Sequence, residues 1–118
     1  MSPELTESDM FALLSKRRRR LTLRIIQESP TPLTVTAIAQ SIGTSESMSP
    51  TSDEINRIYL TLCHQHLPKL DDGDVVMYDQ DAETVRPGVN FDSLMYILEQ
   101  TGDQDLPWND GPRTEITY

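Results

Sequence analysis

Two amphipathic helices with marked ends, followed by a β-hairpin, predict a mainly α-helical fold of winged helix-turn-helix type, extended by a C-terminal helix. Thr34 can cap the first, on which Val35, Ile38, Ala39 and Ile42 fall at i, i+3, i+4 and i+7. Gly43 then stands where helices commonly stop in a left-handed residue. Thr51-Ser52-Asp53-Glu54 has the form of a capping box in front of the second helix. Val75-Val76-Met77-Tyr78 and Glu83-Thr84-Val85-Arg86 are β-like runs around the turn Asp79-Gln80-Asp81-Ala82.

The remaining elements follow in chain order. Residues 1–7 read as a flexible N-terminal tail, and residues 8–101 as one domain. Thr6 or Ser8 can cap a helix through Met10, Phe11, Leu13 and Leu14. The block Lys16 to Arg20 comes next, then Leu23 and Ile26, spaced to enter a core while the arginines point outward. Ser29-Pro30-Thr31-Pro32 stops this helix. Residues 44–50 form a polar loop. In the helix opened by Thr51, Ile55, Ile58, Tyr59, Leu62, Cys63 and His66 make one stripe, and Asn56, Arg57, Leu60, Thr61 and His64 lie on the other face. Leu67-Pro68-Lys69-Leu70 is expected to end it, and Asp71-Asp72-Gly73 to turn the chain. A last helix starts near Asn90, with Phe91, Leu94, Met95, Ile97 and Leu98 as a broad apolar stripe. Residues 102–118 are acidic and read as a disordered tail in which Trp108 could dock locally.

Composition narrows the function class. The chain has 118 residues, the size of one domain, with 36% hydrophobic residues and a mean hydropathy of −0.46. No apolar run approaches the roughly 18 residues that span a bilayer. Met1-Ser2-Pro3-Glu4 lacks the basic and apolar regions of a secretion signal, so a cytoplasmic protein is expected. Cys63, the single cysteine, reads as an ordinary buried thiol. Nineteen acids face ten bases, and six of those bases are Lys16, Arg17, Arg18, Arg19, Arg20 and Arg24. That excess of acid, with two lysines and many threonines and serines, resembles proteins of salt-accumulating haloarchaea.

Two stretches carry a closer resemblance. Leu13-Leu14-Ser15-Lys16-Arg17-Arg18-Arg19-Arg20 with Leu23 and Ile26 is similar to the opening of a haloarchaeal family of uncharacterised winged-helix proteins. So is the stretch from Tyr59 to Asp72, with His64-Gln65-His66-Leu67-Pro68-Lys69-Leu70 its most specific part, running into Val75-Val76-Met77-Tyr78-Asp79. More distantly, the layout resembles arsenical-repressor-type regulators. Both resemblances imply a transcription-regulator-like fold.

A DNA-binding transcriptional regulator acting on double-stranded DNA is therefore expected, with a winged-helix protein-interaction module as the alternative. Asn56, Arg57, Thr61 and His64 lie on the exposed side of the expected reading helix, where such side chains can read base edges. Lys69 and Arg86 add bases nearby, and Arg17, Arg18 and Arg20 can contact phosphates, or else balance an acidic protein. Asp53, Glu54, Asp79 and Asp81 oppose contact with a phosphate backbone. Phe11, Phe91, Leu94, Met95 and Leu98 are the expected seam of a homodimer, the alternative being that the last helix folds back on the first.

Chemistry other than binding finds little support. Cys63 and His66 share a helix face but His64 points away, and the chain has no other Cys or His, so no metal is expected. Asp71-Asp72-Gly73-Asp74 lacks the alternating ligands of a calcium loop and reads as a turn. There is no glycine-rich phosphate loop and no nucleophile–base pairing, so neither a cofactor nor an enzyme activity is expected.

Overall fold

A computed structural model describes residues 5–101; the expected tail 102–118, with Trp108, lies outside them, as do residues 1–4. The elements are α1 (Glu7–Leu13), α2 (Arg17–Gln27), β1 (Leu33–Thr34), α3 (Val35–Glu46), α4 (Ser52–Thr61), a π-helical turn (Leu62–His66), α5 (Leu67–Asp72), β2 (Val76–Asp79), β3 (Thr84–Pro87) and α6 (Phe91–Thr101). The fold is mainly helical, with a small antiparallel sheet and a C-terminal helix.

Helices α1, α3 and α4 begin where the sequence offers a side-chain oxygen, whereas α2 follows Lys16 without such a cap. Thr6 accepts from the Asp9 amide and Asp9 reaches back to the Thr6 amide, so α1 opens on a full capping box. Thr34 accepts from Ala37 at the start of α3. Thr51 and Glu54 close a second box on α4. Each such cap stabilises its helix by about 1 kcal/mol.

Three local readings are corrected. Gly43 does not end α3, which runs on to Glu46. A β-carbon there would stand 3.3 Å from Ile55 Cγ1 and 3.4 Å from Pro50 Cβ, so this glycine lets α4 and its leading loop close on α3. Pro68 does not end the second helix either, since residues 52–72 are helical throughout. Proline has no amide to donate and crowds the carbonyl four residues back. The chain widens before it into a π-turn, with the Leu67 amide on the Leu62 carbonyl. Last, the hairpin gains a third strand: β1 pairs with β3 through Leu33–Val85 and Thr34–Thr84, giving the order β1-β3-β2.

The core is one cluster. Leu14, Leu23 and Ile26 meet Val35, Ile38 and Ile42, then Ile58, Leu62, Leu67 and Leu70, with Val75, Val76 and Val85 from the sheet. Phe91, Leu94, Met95 and Leu98 of α6 complete it. These four residues are buried against their own chain, and Phe11 packs partly buried against the same cluster. The expected dimer seam is thereby corrected, because a side chain that fills its own core is not available to a second copy. The surface of α6 offers Asp92, Ser93, Tyr96, Glu99 and Gln100 instead.

Candidate nucleic-acid interface

The amphipathic pattern of α4 sets the interface. Ile58 is buried and Ile55 and Tyr59 half-buried, which turns Asn56, Arg57 and Leu60 outward. Thr61 is half-exposed, and its hydroxyl donates to the Arg57 carbonyl at 2.9 Å. His64 is exposed on the π-turn. Four of the expected DNA-contacting residues thus belong to one helical element, with Asn56 on its edge toward α3. Lys69 does not join them: it lines a cleft of about 460 Å³ together with Leu5, Asp9, Leu13, Arg19 and Asp72. Arg86 opposes Met77 in the hairpin and lies in a hollow whose lining includes Asp71, Asp74, Asp79 and Asp81.

The basic block has a different use from the one its charge suggests. Arg20 is 2% exposed, and its Nη1 donates to the Leu14 carbonyl at 2.6 Å. Its expected phosphate contact is therefore excluded, since the guanidinium is spent inside the chain. Arg19, 4% exposed, donates from Nε to the Leu13 carbonyl at 2.7 Å and from Nη2 to the Ala12 carbonyl at 3.1 Å. These are carbonyls at the end of α1; the Ala12 carbonyl also accepts from the Ser15 hydroxyl at 2.7 Å and amide at 3.2 Å. Arg18 forks onto Glu46 at the end of α3, with both bonds at 2.9 Å, and that contact raises its pKa. Lys16 and Arg17 are exposed, and Arg24 is half-buried.

Sequence reasoning missed the partner of Arg19. Its Nη1 lies 3.3 Å from Nδ1 of His66, which is 4% exposed in the π-turn. Arginine can only donate, so Nδ1 is the unprotonated acceptor. Burial lowers the His66 pKa to about 4, and the charges of Arg19, Arg18 and Lys16 act in the same direction. A signal for this was present in the four-residue spacing of Ile58, Leu62, His66 and Leu70, which keeps to one side only if the helix widens.

The hairpin is fastened to the outer helix by a second missed contact. Tyr59 donates to Glu83 Oε1 at 2.6 Å, which raises the phenol pKa far above its ordinary value. Glu83 sits at φ 56°, a conformation that costs a non-glycine residue about 1–2 kcal/mol, and its carbonyl accepts from the Val35 amide. One turn residue therefore ties hairpin, α3 and α4 together. The Asp79 carboxylate is also committed, accepting from the amides of Asp81 and Ala82.

Between α3 and α4 lies a cleft of about 360 Å³, lined by Thr36, Ala39, Gln40, Ser52, Ile55, Asn56 and Tyr59. Metal chemistry finds no such gathering. His66 faces Arg19, His64 is exposed, and no group of three or more His, Cys, Asp or Glu side chains among the described residues could hold an ion. Asp71 and Asp72, expected in a turn, instead end α5, and Gly73-Asp74 turn the chain; the Asp71 carboxylate accepts from the Tyr78 amide and the Asn90 side chain donates to the Gly73 carbonyl. Among the described residues, no helix is long and apolar enough to cross a membrane.

No curated protein and no solved structure matches the chain. A family model described as a domain of unknown function, DUF7344, matches residues 11–86, from within α1 through β3. With well over half of its 118 residues in that match, the chain belongs to the DUF7344 family.

Proposed function

We propose that this chain is a winged-helix DNA-binding protein, a transcriptional regulator of a halophilic archaeon that acts by binding rather than by catalysis. The observation that carries the reading is the outer face of α4. Asn56, Arg57, Leu60 and His64 stand exposed on one helical element, behind a capped first turn and beside a hairpin fixed to it by Tyr59 and Glu83. The order α2-β1-α3-α4-α5-β2-β3, with β1 next to β3, is compatible with a winged helix, and it supports assigning α4 to the major groove.

A gel-shift assay on pooled genomic fragments in molar KCl, with Arg57→Glu as control, tests this reading. Retention of a subset of fragments that the variant loses is the expected result. No retained fragment, or retention indifferent to the variant, rejects α4 as a reading helix.

A second reading is favoured by the acids around Arg86. Asp71, Asp74, Asp79 and Asp81 line the hollow over the hairpin and would repel a phosphate backbone. They suit a partner protein with a basic surface. Under this reading, Asp79→Lys with Asp81→Lys weakens partner binding and Arg57→Glu does not. Homodimerisation, where it occurs, would use the exposed side of α6 around Tyr96, which is 65% exposed. The sedimentation of Tyr96→Glu against wild type tests that seam.

A further inference from the structure

The cleft between α3 and α4 has an ordered lining. Thr36 and Gln40 are four residues apart on α3, and Ser52 and Asn56 are four residues apart on α4. Residues at that spacing stack on one helix face, so each helix presents a hydroxyl and then an amide to the same cleft. All four residues are exposed. Their side chains make no hydrogen bond to the other described residues. Ala39, Ile55 and Tyr59 complete the lining. No carboxylate is among the lining residues, but Asp53 and Glu54 follow Ser52 on α4, and the Glu83 carboxylate accepts from the lining Tyr59 at 2.6 Å.

No cation is among the lining residues, and five are committed elsewhere. Arg19 and Arg20 are buried, Arg18 is bound to Glu46, Lys69 faces α1, and Arg86 sits among four aspartates. Because Arg18 meets the last residue of α3, the basic block belongs to the far end of that helix. Thr36 is ten residues, or about 15 Å, away along it. Beside the cleft, on the outer face of α4, Arg57 is the cation.

We propose that this cleft seats the sugar-phosphate backbone of duplex DNA through Thr36, Gln40, Ser52 and Asn56, uncharged donors in place of lysine and arginine. The proposal rests on the DNA-binding reading and specifies how that binding is anchored. Each hydroxyl or amide donates to a phosphate oxygen without displacing a bound cation, so the contact survives salt that would dissolve an ionic one. With Arg57 and at most one further cation engaged, the logarithm of the association constant falls with the logarithm of salt at a slope of about −2. Between about 0.2 M and about 2 M KCl the affinity drops roughly sixtyfold, where six engaged cations would lower it by more than about 10⁵.

The test measures binding of the full chain to the retained genomic duplexes by fluorescence anisotropy across that range of KCl. Three chains are compared: wild type, Thr36→Val with Gln40→Ala, and Arg57→Ala. Thermal melting of each verifies folding, and exposed substitutions of this kind leave it within a few degrees. The expected result is a wild-type slope near −2. The double variant then binds about tenfold or more weakly at every salt concentration with its slope unchanged, and Arg57→Ala flattens the slope by about one. A slope of about −5 or steeper, or a double variant that binds like wild type, overturns the uncharged anchor and leaves the DNA reading standing. Absence of binding at every salt concentration overturns the DNA reading itself.

Discussion

Acidifying the solution from about pH 7 to about pH 5 should destabilise the fold by about 2 kcal/mol through His66 alone. The imidazole has an ordinary pKa of 6.5 and a folded-state value of about 4, set first by burial and then by the neighbouring positive charges. Below 6.5 the unfolded chain takes up a proton that the folded chain refuses until about pH 4. The unfolded state therefore binds more protons across that window, and stability falls as the pH falls. It is fully present above the unfolded value. Between 6.5 and 5 the gap is 1.5 units, and at about 1.4 kcal/mol per unit this gives the figure stated. The assay is urea denaturation of wild type and His66→Gln at both pH values. Carboxylates titrate in both proteins, so the change in their stability difference isolates the imidazole. With a slope of about 1–1.5 kcal/mol per molar urea, the wild-type midpoint should move more than about 1 M further than the variant's. A stability difference that stays constant within about 0.5 kcal/mol between the two pH values would refute the buried, uncharged His66.

Three further outcomes follow from the packing. Arg19→Met takes a donor from the Leu13 carbonyl and the His66 nitrogen, while the Ala12 carbonyl keeps Ser15, and should lower stability by about 2–3 kcal/mol in denaturant melts. Lys16→Ala, an exposed change in the same block, should alter it by less than about 0.5 kcal/mol. Gly88→Ala places a β-carbon 2.5 Å from the Asp74 carbonyl oxygen, against backbone that is itself held at φ 58°, and should cost about 1–3 kcal/mol by calorimetry. Leu94→Ala opens a void in the core and should cost about 2–5 kcal/mol, with an unchanged mass in sedimentation because the side chain is not at a surface.

Much of the fold was legible because its signals are local. A threonine before an apolar repeat, a carboxylate three residues later and a proline pair after a helix each act within a few residues. Thr34 and Thr51 were readable for that reason, and so was a hairpin, although its strands and turn fall one residue later than read, with Asp79 in β2 and Glu83 in the turn. The outer face of α4 was readable too, since periodicity alone separates Asn56, Arg57 and His64 from Ile58 and Leu62. The α3–α4 cleft was not. Thr36 and Gln40 are unremarkable polar residues until α4 is laid beside them.

What the sequence determined by itself is where helices begin, which faces are apolar, and that the charge is divided between a basic block and an acidic remainder. What only the tertiary structure decided is how each charge and each apolar stripe is spent. Four arginines in a row look alike in a chain, yet burial takes two of them, because the Leu13 and Leu14 carbonyls at the end of α1 lie within reach of their guanidiniums. The apolar stripe of α6 looks like an interface until the helix folds back to fill its own core. Pro68 looks like a stop until a widened turn carries the helix past it and brings His66 to Arg19. In each case the deciding partner lies far away in sequence, and desolvation gives the contact its consequence.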